Sequence, residues 1–155
     1  MPRVFDNKEG RTLVPAYYAD GKICLRCAIN STVAVTSAEA FLIDPGEEGW
    51  VANVLAVTTG VKARYLGVSE KAIAASTAAL VTITDLVIGG VTDIITTDAT
   101  VTTGYAVNLT TGAAIVYGTT YFDEATCFGV WRVTSTSLTA AKECILYPIP
   151  RNMTS

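Results

Sequence analysis

Lys22-Ile23-Cys24-Leu25-Arg26-Cys27-Ala28-Ile29 is the stretch on which the reading of this chain turns. Ile23, Leu25, Cys27 and Ile29 fall on one side of an alternating pattern. Lys22, Cys24, Arg26 and Ala28 fall on the other. A period of two predicts a half-buried strand. The same alternation bears on the C-x-x-C spacing, which in other settings means zinc or redox chemistry. Residues three apart in a strand face opposite sides, so Cys24 and Cys27 could not share a metal. No second C-x-x-C completes a set of four ligands. Cys24, Cys27, Cys127 and Cys144 are therefore read as buried or partly buried free thiols.

Outward from this strand the chain is short apolar runs broken by turn signals. The runs include Phe41–Ile43, Trp50–Val57, Ala63–Val68, Ala79–Ile83, Leu86–Ile88, Gly104–Leu109, Cys127–Val133 and Lys142–Tyr147. Between them stand Asp20-Gly21, Asp44-Pro45-Gly46, Thr59-Gly60, Gly89-Gly90, Thr103-Gly104 and Thr111-Gly112. Glycine supplies positive φ and proline presets a turn's first position, so these are turns with a mechanism. With 23 Thr and 17 Val, residues stiff at the first side-chain torsion dominate and favour a pleated sheet. The expected fold is all-β, a single compact barrel. Ser69–Ser76 is the one helical candidate and is too short to stand alone.

An internal echo sharpens that expectation. Leu66-Gly67-Val68 opens a segment reaching Leu80-Val81-Thr82-Ile83, and Phe128-Gly129-Val130 opens one reaching Lys142-Glu143-Cys144-Ile145. Both correspondences carry an offset of 62 residues. Two similar halves would close a barrel and leave few open edges. Chance likeness among β-strands is the other reading. The domain plan has three parts: an extended N-terminal arm over 1–21, a barrel body over 22–150 and a C-terminal tail over 151–155. In the arm, Arg3, Phe5, Arg11, Tyr17 and Tyr18 are the candidate partner-binding residues, as aromatic and cationic anchors on a neighbouring subunit. A frayed terminus is the plainer alternative.

Composition narrows function by exclusion. The chain of 155 residues has no histidine, which removes Ser-His-Asp and Cys-His catalysis and histidine metal sites. Its net charge of −3, without a Lys/Arg cluster, gives no nucleic-acid footprint. No apolar run approaches the ~18 residues of a membrane helix. The polar start lacks the apolar core of a signal peptide, which predicts synthesis in a cytosol. The paired carboxylates Glu47/Glu48 and Asp123/Glu124 stand beside turns and read as solvated loop charges before they read as a glycosidase pair. Asp93 and Asp98 lack calcium-loop spacing. Trp50, Tyr65, Tyr105, Tyr117, Tyr121, Phe122 and Trp131 suit a core better than a sugar platform. No enzyme, metal or cofactor is expected. Only 16 % of residues are charged, which fits a surface covered in part by partners.

The order of the strand motifs carries a resemblance. Asp44-Pro45-Gly46 ends a strand, and Tyr65-Leu66-Gly67-Val68 precedes an Ala/Ser-rich loop. Leu86-Val87-Ile88-Gly89-Gly90-Val91, Val101-Thr102-Thr103-Gly104-Tyr105-Ala106-Val107, Phe128-Gly129-Val130 and Cys144-Ile145-Leu146 follow. Over about residues 22–147 this resembles the phage head decoration, or capsid cement, proteins with a β-barrel body. The resemblance implies a structural role on the outside of a phage head, made in the host cytoplasm and bridging subunits of the major capsid protein, with a homotrimer favoured. It brings no catalytic residues. The long arm and the Cys24/Cys27 pair depart from that pattern. A tail-tube or head–tail joining subunit and a carbohydrate-binding β-module are the rival expectations.

Overall fold

The computed structural model describes residues 17–30, 32–46, 49–54, 61–76, 81–96, 100–109, 116–119, 127–137 and 140–154. They form eleven strands and no helix. In chain order these are β1 (Tyr17–Ala19), β2 (Lys22–Asn30), β3 (Glu39–Gly46), β4 (Gly49–Val54), β5 (Val61–Ser69), β6 (Val81–Ile95), β7 (Ala106–Leu109), β8 (Val116–Thr119), β9 (Cys127–Trp131), β10 (Ala141–Leu146) and β11 (Arg151–Thr154).

The first half closes on itself. β3 pairs antiparallel with β4 and β5, β5 touches β6 at Val68↔Val87, and β6 pairs with β2. A short parallel pairing of β2 with β4, at Cys27↔Trp50 through Ile29↔Ala52, seals a five-stranded barrel. Its interior holds Leu25, Cys27, Ile29, Phe41, Ile43, Ala52, Leu86 and Ile88. The strand expected at 22–29 is present, with Cys27 inside. Cys24 lies on the opposite face and is buried there as well.

β6 is 15 residues long and serves both halves. Up to Gly89 it pairs with β2; from Gly90 to Ile95 it pairs with β10. β10 then joins β9, β9 joins β7, and β7 joins β8. β3 and β5 are sandwiched between the two units. Phe41 and Ile43 point into the barrel, while Ala40, Leu42, Leu66 and Val68 point out into a second cluster with Ile94, Val107, Leu109, Phe128, Trp131 and Leu146. Burial on both faces explains why Ala40-Phe41-Leu42-Ile43 is a continuous apolar run rather than an alternating one.

The two halves are related in register. Phe41 pairs with Gly67, as Val107 pairs with Gly129. Val35 bridges Ile73, as Val101 bridges Ser135. The Ala38 N–H donates to the Ser69 carbonyl at 2.7 Å, and the Gly104 N–H to the Trp131 carbonyl at 2.9 Å. The 62-residue offset therefore relates β5 to β9. It does not extend to the following strands. Val68 pairs with Val87 and Val130 with Ile145, so the strand after β9 returns four residues sooner than the 62-residue offset requires.

Three further expectations change. Ser69–Ser76 is not helical: Ser69 ends β5, and Ile73 forms its bridge to Val35. Tyr17 and Tyr18 do not belong to an arm. Tyr17–Ala19 pairs with β2 across the Asp20-Gly21 turn, because Tyr17 and Tyr18 fit a sheet edge and Gly21 adopts φ 74°. Residues 151–155 are not simply a tail. β11 pairs with β5 from Arg151↔Arg64 to Thr154↔Val61, and the Arg151 Nε–H donates to the Cys127 carbonyl at 2.9 Å. The C-terminal strand thus ties the second half back to the first.

Candidate interaction surface

The outer face of the barrel carries the most distinctive side chains. Tyr17 stands opposite Cys24 on β2, and Arg26 stands opposite Asp85 on β6. These residues form one cluster. The Arg26 Nε–H donates to Asp85 Oδ1 at 3.1 Å, and its guanidinium carbon sits 5.9 Å from the centre of the Tyr17 ring. Burial, together with the hydrogen bond and charge of Asp85, raises the Tyr17 phenol well above its usual range. Burial likewise pushes the Cys24 thiol up to about 11, with Asp85 adding to it. The Cys24 thiol in this cluster is shifted away from the thiolate.

Next to it runs an exposed apolar strip. Ala28 is level with Val51 on β4 and with Ile83 on β6, and Val81 follows opposite Asn30. Val81 and Ile83 are 63 % and 61 % exposed. Strand parity explains the orientation. Leu86 and Ile88 point into the barrel, so Thr82 and Thr84 share that inward side while Val81 and Ile83 point out. The sequence reading counted Ala79–Ile83 only as an apolar run. Carrying the parity back from Leu86 and Ile88 would have found the strip.

Where the halves meet lies an open groove of about 700 Å³. Its lining includes Asp20, Lys22, Ser37, Glu70, Asp93 and Glu143. Lys22 Nζ pairs with Glu70, and Glu143 pairs with Arg132 at 3.4 Å. Asp93 and Glu143 are direct cross-strand partners. No three Cys, Asp or Glu side chains among the described residues converge as a metal set. The groove's carboxylates stand beside Ser37, whose hydroxyl donates to the Glu70 carbonyl at 3.0 Å.

The buried polar groups are structural. Arg64 Nε donates to Asp44 Oδ1 at 2.6 Å, on the side of β3 and β5 that also carries Leu42 and Leu66. Lys142 Nζ donates to Thr96 Oγ1 and to the Ala140 carbonyl, and burial lowers its pKa. Burial pushes the thiols of Cys27 and Cys144 up to about 12 each. All four cysteines are buried, and the Cys127 thiol donates to the Gly129 carbonyl at 3.3 Å.

Of the candidate partner-binding residues, Tyr17 is engaged by Arg26 and Asp85, whereas Tyr18 is 55 % exposed. Arg3, Phe5 and Arg11 lie outside the described residues, as do Glu47, Glu48, Asp98, Tyr121, Phe122, Asp123 and Glu124. Trp50 and Tyr65 form an edge-to-face pair 5.4 Å apart against the barrel core. Trp131 is fully buried and Tyr105 packs beside it in the second cluster. These four aromatics are committed to packing, which leaves no sugar platform among them.

No protein-family model matches the sequence, and no curated protein matches it. Among solved structures, the fold is similar to the head fiber gp8.5 N base of bacteriophage phi29. The TM-score is 0.51 at 15 % identity, over 82 % of this chain and 97 % of that one. The likeness spans more of this chain than the barrel strands β2 to β6 alone.

Proposed function

We propose that this chain is a structural protein of a phage virion, acting as a head decoration or cement protein. The observation that carries the reading is the shared fold with the head fiber base of phage phi29 over 97 % of that chain. The surface supports it. An exposed strip of Val51, Val81 and Ile83 on a rigid sheet face suits protein contact. The thiols are buried and pushed upward, and the groove's carboxylates are solvated, so neither suits catalysis.

In the finer form of the proposal the barrel sits on the outside of the head and contacts the major capsid protein. Arg3, Phe5 and Arg11 ahead of the barrel, with exposed Tyr18, supply anchors to a neighbour. A homotrimer on the lattice multiplies weak contacts, so that avidity replaces single-site affinity. Immunogold labelling of virions of the encoding phage tests the placement. Label on the head is the expected result. Label confined to the tail, or absent from virions, would reject it.

A further inference from the structure

Val81 and Ile83 leave three-fifths of their surface in water on the outer face of a closed barrel. Strand register sets the side chains around them in level rows. Asn30 is opposite Val81, Ala28 opposite Ile83, and Arg26 opposite Asp85. Val51 extends the middle row on the other side of β2. Each row across β2 and β6 therefore joins unlike side chains: polar beside apolar, small beside large, cation beside anion. Arg26 and Asp85 cancel in charge, and both remain accessible, with 55 % and 38 % of their side chains exposed.

A face built of unlike pairs is complementary to itself. Consider a two-fold axis parallel to the strands and midway between β2 and β6. It lays β2 of one copy over β6 of the other and keeps every row level. Arg26 then faces Asp85 of the second copy, and Asp85 faces its Arg26. Ala28 leaves the room that Ile83 of the second copy fills, and the same contact recurs across the axis. Asn30 lies over Val81, and no like charges meet. An axis across the strands at Ala28 would instead set the Arg26–Asp85 row over the Asn30–Val81 row, with no charge matched. Sheets packed face to face with nearly aligned strands are an ordinary arrangement. We propose that two copies of this chain associate through this face, about the axis between β2 and β6. Four apolar residues and one ion pair a side are few against the about 20–30 residues of a standard interface, so the pairing is weak and shows at high concentration. It does not depend on the virion reading, and a two-fold contact of this kind is separate from the threefold contact of a trimer.

Sedimentation of the full-length chain at concentrations up to about 1 mM tests the contact without any phage component. A monomer–dimer equilibrium is expected. Ile83→Asp buries a charge in the contact and should weaken association by at least about tenfold, with the melting temperature little changed because Ile83 is exposed in the monomer. Exchange of charges tests the axis. Arg26→Glu alone and Asp85→Lys alone each set like charges face to face across it, and each should sediment as a monomer. Both stay folded, since an exposed ion pair adds little to stability. Their equimolar mixture restores opposite charges at both crossed contacts and should dimerise. A chain that stays monomeric throughout, a dimer indifferent to Ile83→Asp, or a mixture no more dimeric than the single variants would overturn the proposal. A trimer lost with Ile83→Asp would overturn it too, because the strip would then meet a different surface.

Discussion

Ala38 and Gly104 occupy matching places in the two halves, each donating its N–H to the last residue of the third strand after it, Ser69 of β5 and Trp131 of β9. Both are left-handed, at φ 67° and 88°. Alanine is strained there and glycine is not. Ala38→Gly should therefore stabilise the protein by about 0.5–1 kcal/mol, net of the entropy glycine adds to the unfolded chain. Thermal melting checks the sign. Gly129 is the opposite case. A β-carbon there would lie 2.0 Å from the Ile145 carbonyl oxygen, which is backbone and cannot swing away. Gly129→Ala should cost at least about 3 kcal/mol in denaturant unfolding, as overpacking at its upper range. The thiols set a pH dependence. The folded pKa values of Cys27 and Cys144 stand at about 12 against an ordinary 9.0. Their contribution is thus complete below pH 9 and drains away as pH rises toward 12. Lys142 runs the other way, since burial lowers its pKa and penalises its charged form until pH rises past it. With two deeply buried thiols against one lysine, the melting temperature should fall between pH 9 and 12. At pH 8 a thiol reagent should label the chain only at the rate of unfolding.

At the scale of elements, β11 is the least obvious from sequence and among the most consequential. Arg151-Asn152-Met153-Thr154 has no alternation and follows Pro148 and Pro150, so it reads as a tail. Its place is fixed by long-range partners, the β5 edge and the Cys127 carbonyl, which no local pattern reveals. Removing residues 151–155 should lower the melting temperature by several degrees and raise amide exchange in Val61–Arg64, leaving the β2–β6 pairing protected. The strand at 22–29 was legible because Lys22 and Arg26 alternate with the buried Leu25, Cys27 and Ile29, although Cys24 on their own face is buried too. The run at 40–43 gave a strand but not its two-sided burial. Tyr17 and Tyr18 were misplaced because three residues are too few to show a period, although the Asp20-Gly21 turn behind them was a hairpin signal. The strip at Val81 and Ile83 was hidden for a different reason. An apolar residue in a strand is expected inward, and the parity that turns these two outward shows only when Val81–Ile88 is read as one strand with Leu86 and Ile88 inside.

At the scale of the whole molecule, two register-related units share β6, and the first of them is a closed barrel. Among the described residues the architecture presents a sheet face with exposed Val51, Val81 and Ile83. The sequence carried the barrel and half of the internal correspondence. The capsid role is a proposal that began in a resemblance of motifs; the likeness at 15 % identity concerns the fold. Co-sedimentation of the purified chain with DNA-emptied heads of the encoding phage tests that role most directly. The account predicts saturable binding at a fixed number of copies per head. A chain that stays in the supernatant at saturating concentration, or that polymerises alone into rings or tubes, would contradict it.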